Sequence, residues 1–432
     1  MKELLLNKML PTKQNLNIWR VGFFLSYRQI KRANIWTTIL IVTVMALTFL
    51  NLVVVNGVLV GLIQGSVEAH RTRGTGDIAI TKLTQKTEIE NTTDILNVLS
   101  SLPQVKDVAT RYTGSGSINA DYRRKLRQDE TPNRVAGTIA GIDPLNEDKI
   151  NGLSRYIVEG SYLQENDTDG IILGATLLYK YTPVESAGFQ TLKNIKIGDR
   201  LKITVGKNSK EVILRGVIKT KVDTNDFRIF MIESEAKKLI GRNDVNADEI
   251  FVKLKDGSTL TDAAKVQQIL FNNNFDSGAK IQTWLEAQPK FLSDLISTFA
   301  LLGNLIGSIG IAVASITIFI VIFVNAITRR KFIGILKGIG IDPKSIEISY
   351  IIQSVFYALT GSVIGFLILY GFLIPFVDAH PINFPFSDGI IYAPLPGTLF
   401  RALILLITTV IAGYIPARII VKKNTLDSIL GR

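Results

Sequence analysis

Few residues in this 432-residue sequence are of the types that carry out chemistry. The sequence contains no cysteine, which excludes disulfides, thiol catalysis and cysteine-held metal sites. Its two histidines, His70 and His380, are far apart in the chain, which disfavours a histidine metal site or a Ser-His-Asp triad. Ser115 lies in GSGSI rather than in the GxSxG motif of a hydrolase nucleophile. We therefore predict no catalytic residue, no metal site and no bound cofactor.

Paired carboxylates and phosphate-binding loops are the other candidates for chemistry. Asp167 with Asp169, and Glu233 with Glu235, could act as acid–base pairs, but both pairs lie in polar stretches typical of a solvated surface. No GxxxxGK[ST] segment occurs, so a P-loop nucleotide site is excluded. We expect no ATP binding by this chain alone.

Long apolar segments predict a polytopic α-helical membrane protein. Residues 33–67, 295–328 and 348–377 contain no Asp, Glu, Lys, Arg or His, and each exceeds the length of about 20 residues that a helix needs to cross a bilayer. A shorter segment, 402–417, becomes long enough when residues 396–401 are added. Because these segments lack ionisable side chains, a transporter built from them would receive its energy from outside the bilayer core. The predicted transmembrane helices are 36–63, 295–327, 347–376 and 398–417.

The net charge of +12 is concentrated beside the apolar segments. Residues 68–294 hold 32 basic and 31 acidic residues, so nearly all the excess positive charge lies elsewhere. The N-terminal segment 1–35, the loop 328–346 and the tail 418–432 carry this excess, which the positive-inside rule assigns to the cytoplasm. We therefore expect a multi-pass cell-membrane protein with both termini cytoplasmic, and with residues 64–294 and 377–397 outside. Nucleic acid is disfavoured as a partner, because the basic residues flank membrane segments.

The N-terminal segment also contains an amphipathic pattern. Trp19, Phe23, Tyr27 and Ile30 recur at helical spacing, with basic residues between them. This pattern favours a helix lying along the inner membrane surface over a simple basic flank.

The large outer segment, residues 64–294, predicts an extracytoplasmic α+β domain that can bury its own core. The strand-rich part near 165–230 leaves open a division into two subdomains. Turn signals such as Gly141-Ile-Asp-Pro144 separate its elements. Strands are predicted at 76–81, 105–108, 135–142, 201–205 and 211–218, and helices at 93–102, 234–240 and 261–272.

The loop 328–346 is patterned rather than irregular. Phe332, Ile333, Leu336 and Ile339 form an apolar stripe, and Asp342-Pro343 is expected to end the helix. A short amphipathic helix of this kind either lies flat on the bilayer or enters a groove of a soluble partner, and the pattern alone does not choose. The candidate coupling residues are Arg330, Lys331, Phe332, Ile333, Gly334, Ile335, Leu336, Lys337, Gly338 and Gly340.

The apolar segments also carry glycines at small-xxx-small spacing. Such faces let helices approach closely, either within one chain or between two subunits. The candidate packing residues are Gly57, Gly61, Gly65, Gly303, Gly307, Gly361 and Gly365.

The segment from Arg330 to Gly340, RKFIGILKGIG, resembles the R-x-x-E-I-G-I-L-K-A-I-G signature of the MacB/FtsX/LolC-type ABC transporter permeases. Phe332 stands where that family often has an acidic residue. The resemblance extends through GIDP, through DGIILG at 169–174 and IGDRL at 197–201, to the closing residues Pro416-Ala417-Arg418 and 426–430.

The resemblance implies a type VII, mechanotransmission permease with a MacB-like periplasmic core domain and an FtsX-like permease domain over 295–425. It implies a homodimer or a heterodimer with a second permease, held in membrane lipid, and a separate MacB/LolD-like ABC ATPase docked on the loop 328–346. It implies export or extraction of a lipoprotein, lipid, peptide or drug-like cargo, with lipoprotein release as one form and with a possible extracytoplasmic accessory protein.

Two rival hypotheses remain at this stage. A membrane signalling or scaffold protein would use its outer domain to sense a ligand or to control a cell-wall hydrolase. A membrane-anchored enzyme is disfavoured, because the sequence offers no credible catalytic cluster.

Overall fold

The computed structural model describes residues 13–123, 132–183, 190–380, 382–384, 388–389 and 391–422. The closing motif at 426–430 and the first twelve residues lie outside the described residues. The chain divides into two compact units. One unit contains residues up to 63 and the chain from 295 onward, and the other consists mainly of residues 64–294.

The described residues include ten helices of eight residues or more, and two shorter helices at Asp223–Asp226 and Ile374–Ala379. The ten longer helices are α1 (Lys13–Lys31), α2 (Ile35–His70), α3 (Thr92–Ser101), α4 (Pro144–Asn151), α5 (Glu233–Ile240), α6 (Leu260–Asn272), α7 (Lys290–Thr328), α8 (Arg330–Gly338), α9 (Pro343–Ile368) and α10 (Leu395–Val421).

Twelve strands are described. They are β1 (Ile78–Lys82), β2 (Val105–Asn119), β3 (Arg134–Ile142), β4 (Ile157–Gly160), β5 (Gly170–Gly174), β6 (Arg200–Val205), β7 (Asn208–Ile218), β8 (Arg228–Ile232), β9 (Glu249–Leu254), β10 (Ala279–Thr283), β11 (Ile382–Asn383) and β12 (Asp388–Gly389).

Four helical segments are long and apolar enough to cross a membrane, which confirms the predicted four-helix membrane protein. The first and third continue beyond α2 and α9 through π-helical turns at Arg71–Thr75 and Leu369–Leu373. The fourth, α10, contains Pro416. The segments are Ile35–Thr75, Ser297–Thr328, Pro343–Ala379 and Leu395–Val421.

The helical unit has its own apolar core, in which Met45, Phe49, Ile318, Tyr350 and Leu405 are buried. Its outer faces remain apolar, as lipid-solvated helices require. Leu301, Leu305, Ile309, Leu367 and Phe400 are examples of these exposed side chains.

Glycines let α2 and α9 approach closely in this unit. A Cβ built on Gly361 would overlap Met45 and lie 3.0 Å from the backbone nitrogen of Ala46. A Cβ on Gly365 would lie 2.5 Å from Cδ1 of Phe49. On α7, Gly303 lies against Asn56 and Gly307 against Leu52. Gly57 packs against Ile391, and Gly61 is buried, so these glycines contact their own chain.

The other unit is built on a ten-stranded mixed sheet with the order β10-β1-β9-β2-β3-β8-β5-β7-β4, in which β6 pairs with both β2 and β7. Strand β3 runs parallel to β8, and β5 runs parallel to β7. Separate apolar clusters form under the two ends of the sheet, around Ile80 and Leu99 and around Ile139 and Leu201. The predicted α+β domain is thereby confirmed.

The first and last strands of this domain are neighbours. Ile78 of β1 pairs with Thr283 of β10, and the Trp284 amide donates to the Asp77 carbonyl at 3.0 Å. Because the pairing is antiparallel, the chain enters and leaves the domain at the same end of the sheet.

The predicted secondary structure of this domain is largely confirmed, with two corrections. Gly141-Ile-Asp-Pro144 is not a simple turn, since the Asp143 side chain accepts the amides of Leu145 and Asn146 and caps α4. Strand β2 continues to Asn119, well past the predicted end at residue 108. The GSGSI segment is part of this strand. Gly114 in this segment lies close to Ile240, because a Cβ built on Gly114 would lie 2.8 Å from the Ile240 side chain. A larger residue would therefore be crowded at this position.

Candidate functional site

The helix α8 follows α7 after a single break at Arg329, whose φ of −100° and ψ of 11° are not helical. Helical hydrogen bonding resumes at once, because the Ile333 amide donates to the Arg329 carbonyl at 3.0 Å. The segment is therefore an ordered helix between two long apolar helices.

One side of α8 packs into the core of its own unit. Ile333 is only 3% exposed, and Gly334 is buried beside it. Leu336 and Ile341 are partly buried against the same core. These contacts fix the orientation of the helix.

The opposite side of α8 carries three exposed apolar residues, which we call the outer strip. Phe332 is 68% exposed, Ile335 49% and Ile339 71%. Positions i, i+3 and i+7 lie on one face of a helix. The predicted stripe of Phe332, Ile333, Leu336 and Ile339 is thus wrong as a single surface, because Ile333 and Leu336 face inward and Ile335 faces outward.

The basic residues of α8 do not form one continuous rim. Lys331 is exposed, whereas Arg330 is partly buried. The Lys337 ammonium donates to the Val421 carbonyl at 3.0 Å. Val421 ends α10, so Lys337 places a positive charge where the helix dipole favours one. Lys337 therefore fastens α8 to a neighbouring helix.

A glycine turn ends α8. Gly340 has a φ of +90°, which favours glycine, and no heavy atom lies within 4 Å of a Cβ built there or on Gly338. The Ile341 amide donates to the Leu336 carbonyl at 3.0 Å across this turn. Asp342-Pro343 does not end the helix as predicted; it begins α9, where the Asp342 side chain accepts the Lys344 amide at 2.8 Å. The predicted boundary was displaced because Asp and Pro are also helix-start residues.

The arrangement suits either of the two modes that the sequence left open, a soluble partner or the bilayer surface. A helix seated on its own core presents the outer strip at helical spacing, with the exposed Lys331 beside it. Such a face fits the helix-in-groove mode of recognition, and it also fits a helix that lies on the bilayer surface.

A second site, a buried charge centre in the α/β unit, was not foreseen from the sequence. Arg111 on β2 is 1% exposed, and its Nε donates to Oε2 of Glu147 on α4 at 3.0 Å. Its Nη1 donates to Oδ1 of Asn225 at 3.2 Å. Asn225 in turn donates to the Arg73 carbonyl in the π-helical turn after α2. On the sheet, Arg228 binds Glu249 through two hydrogen bonds of 2.7 Å.

Electrostatics hold this centre in its ionised form. Burial opposes the charge of Arg111, but Glu147 and Glu249 outweigh it and the pKa of Arg111 is raised. Burial likewise opposes ionisation of Glu249, but Arg228, Arg111 and Lys82 lower its pKa. The one signal for this centre in the sequence is the alternation of β2, which places Arg111 on the same face as the buried Ala109.

The paired carboxylates singled out in the sequence are engaged in ion pairs. Asp167 and Asp169 lie 3.3 and 3.7 Å from Nη2 of Arg215. Glu233 pairs with Lys237 at 3.0 Å, and Glu235 pairs with Lys210 and Lys238. Across the described ranges, no three His, Asp or Glu side chains converge as metal ligands would.

Two family profiles match this chain. The MacB-like periplasmic core domain matches residues 38–268, which is more than half of the sequence. The FtsX-like permease C-terminal domain matches residues 304–425. This chain belongs to the MacB/FtsX-type ABC transporter permeases.

Two relatives of this chain are also described as ABC transporter permeases. The chain is 23% identical to an uncharacterized ABC transporter permease of Methanocaldococcus jannaschii over 279 residues, covering 64% of this chain and 65% of the relative. It is 27% identical to the ABC transporter permease YtrF of Bacillus subtilis over 240 residues, covering 49% and 53%. The chain thus spans less than two thirds of the length of each of these relatives.

Two solved extracytoplasmic domains are also similar. The periplasmic region of MacB from Actinobacillus actinomycetemcomitans aligns with a TM-score of 0.34 and 16% identity, covering 50% of this chain and 92% of that one. The extracellular domain of the noncanonic ABC-type transporter YknZ from Gram-positive bacteria aligns with a TM-score of 0.31 and 15% identity, covering 48% and 99%.

Proposed function

We propose that this chain is the non-enzymatic permease subunit of an ABC transporter, and that a separate MacB/LolD-like ATPase docks on the outer strip of α8. The exposure of Phe332, Ile335 and Ile339 beside a buried Ile333 is the observation that carries the proposal. Exposure of an apolar strip to water is unfavourable in free energy. Burial of the strip in a partner's groove removes this unfavourable contribution.

The connections between the apolar helices and the sheet support a mechanical role. Gly76 and Asp77 alone separate the π-helical turn at Arg71–Thr75 from β1. Strand β1 is paired with β10, from which the chain leads to α7. In the proposed mechanism, these two connections carry a displacement of α2 or α7 to the sheet.

In this proposal ATP is hydrolysed on the partner, and the outer domain moves a lipoprotein, lipid, peptide or drug-like cargo by export or extraction. The permease works as a homodimer or with a second permease, and an accessory protein can act outside the membrane. Both termini and α8 lie in the cytoplasm, where an ATPase finds ATP.

Single-cysteine labelling tests this topology with a clean background, because the natural chain has no cysteine. In intact cells, a membrane-impermeant maleimide should label the variants Asp169→Cys and Asp388→Cys. The Lys337→Cys variant should react only after the membrane is permeabilised. The unmodified chain is the control.

The reverse pattern would place α8 on the wrong side for ATPase docking. Labelling of Lys337→Cys in intact cells, with Asp169→Cys protected, would therefore end the proposal.

A further inference from the structure

The link between β7 and β8, residues 219–227, contacts the π-helical turn that follows α2, and we call this link the socket. Nη1 of Arg73 donates to the Thr220 carbonyl at 3.1 Å, and the Arg73 guanidinium lies 4.7 Å from the centre of the Tyr156 ring. The Asn225 side-chain amide donates to the Arg73 carbonyl. Both the side chain and the backbone of Arg73 are therefore held.

Gly74 makes a second close contact with the socket. It is buried, and a Cβ built there would lie 3.2 Å from Cγ1 of Val222 and 3.9 Å from Oγ1 of Thr224. Thr72 is exposed, and its hydroxyl donates to the Glu68 carbonyl at 2.7 Å. One side of the π-helical turn therefore lies in the socket, and the other side is exposed.

The socket is held in one arrangement by a buried carboxylate. Asp226 accepts the Thr220 amide at 2.7 Å, the Thr220 hydroxyl at 2.8 Å and the Lys221 amide at 3.0 Å. Buried polar groups that are satisfied in this way make a segment rigid. A Cβ built on Gly174, which ends β5, would overlap the Asp226 carbonyl oxygen, so the socket also packs directly against β5.

The socket lies in a different part of the sheet from the two chain connections. Helices α2 and α7 are connected to β1 and β10, which are neighbours at one end of the sheet, whereas β5, β7 and β8 lie toward the other end. One apolar cluster includes Ile80 and Ile281 of the first end, and another includes Leu173, Leu214 and Ile229 of the second. Separately packed bodies can shift against each other. A displacement that entered through β1 and β10 alone would therefore act mainly on the first end.

We propose that the socket is a second point at which motion of α2 reaches the sheet, and that Arg73 and Asn225 are the positioning residues that move β5, β7 and β8. The proposal rests on the ATPase-driven motion of the proposed function and adds to it a contact that is separate from the two chain connections. A π-helical turn suits this role, because such turns are rare and occur frequently at functional sites.

Two spin-label pairs test the socket in nanodiscs that hold the chain with a candidate MacB/LolD-like ATPase. The pair Asp169→Cys/Asp388→Cys reports on the residue before β5, and the pair Lys280→Cys/Asp388→Cys reports on an exposed residue of β10. Without further changes, trapping with ATP should shift both distance distributions. Arg73→Ala and Asn225→Ala should each lose most of the shift at residue 169 and keep the shift at residue 280.

Matched variants separate this role from folding. Arg73→Lys keeps a positive charge that can donate to the Thr220 carbonyl, and should retain most of the shift at residue 169. Thr72→Ala changes the same turn outside the socket, and should retain both shifts. Arg73→Ala is the primary variant, because Arg73 is partly exposed whereas Asn225 is fully buried and also binds Arg111. An unfolded outer domain would lose both shifts, so the shift kept at residue 280 shows that a variant is folded.

Three results would overturn the socket. The role is refuted if Arg73→Ala and Asn225→Ala shift at residue 169 as the unchanged socket does, or if Arg73→Ala reduces the shifts at residues 169 and 280 equally. A complex with the unchanged socket that shifts at neither residue would refute the ATPase-driven motion itself, and the socket role with it.

Discussion

The variant Ile335→Asp is expected to insert and fold normally but to lose its partner ATPase. Ile335 is half exposed on α8, so an aspartate there meets water in the free chain. In a dry contact the same carboxylate would be buried without a partner, at a cost of about 2 kcal/mol or more. Binding of the ATPase should therefore weaken at least about 30-fold. Phe332→Asp, on the same outer strip, should have a similar effect.

Co-purification in detergent from cells that express the chain together with a candidate MacB/LolD-like ATPase measures this loss. Lys331→Gln is the matched control, since Lys331 is exposed beside the strip, and its removal should have a smaller effect that fades at high salt. Leu336→Asp is a poor test, because Leu336 packs partly into the core of its own unit. Undiminished co-purification of correctly inserted Ile335→Asp and Phe332→Asp would remove the docking role of α8.

The variant Arg111→Met is expected to destabilise the α/β unit by about 3–5 kcal/mol, the usual cost of breaking a buried ion pair. Glu147 is fully buried. Without Arg111, the side-chain hydrogen bond that Glu147 would keep among the described residues is the one donated by the neutral Asn151. Asn225, which links the centre to the Arg73 carbonyl, would also lose a donor. The double variant Arg111→Met/Glu147→Leu should recover part of the loss, since it removes both charges.

Pulse proteolysis of the full chain in urea measures this change. Arg123→Met is the control, because Arg123 forms an exposed pair with Glu211 and should produce no measurable difference. If the two arginine variants were equally stable, the charge centre would have no structural role.

The effect of Arg111→Met should also depend on pH. The pKa of Glu249 is lowered from 4.5 in the folded protein. Its ion pairs therefore contribute their full stabilisation of the fold above pH 4.5. This stability is lost as the pH falls through the lowered value. The difference between wild type and Arg111→Met should therefore shrink in acid.

The membrane architecture could be predicted because it depends on composition alone. Residues 295–328 contain no Asp, Glu, Lys, Arg or His. An apolar helix of that length is typical of a transmembrane segment. The strand at 135–142 and the helix at 261–272 could also be predicted. In each, the spacing of the apolar residues and the residues at the ends of the segment indicate the same type of element.

The two faces of α8 could not be separated in the same way. Ile333, Ile335, Leu336 and Ile339 have similar hydrophobicity, and only the contacts of the folded chain decide which of them face the core. Helical spacing groups Phe332, Ile335 and Ile339 correctly once the helix bounds are known, but the bounds themselves were misplaced by Asp342-Pro343.

The charge centre was missed for a related reason. Arg111, Glu147 and Asn225 are distant in sequence and meet only when α4 and the sheet have formed.

One distance measurement tests most directly whether this permease converts ATP hydrolysis into motion of its outer domain. Spin labels are attached to the double variant Asp169→Cys/Asp388→Cys, and the protein is reconstituted in nanodiscs with its ATPase. We expect trapping with ATP to shift the distance distribution. The shift should disappear when the ATPase is omitted or when Ile335→Asp is added. An identical distribution with and without ATP, in complexes that hydrolyse ATP, would contradict the account.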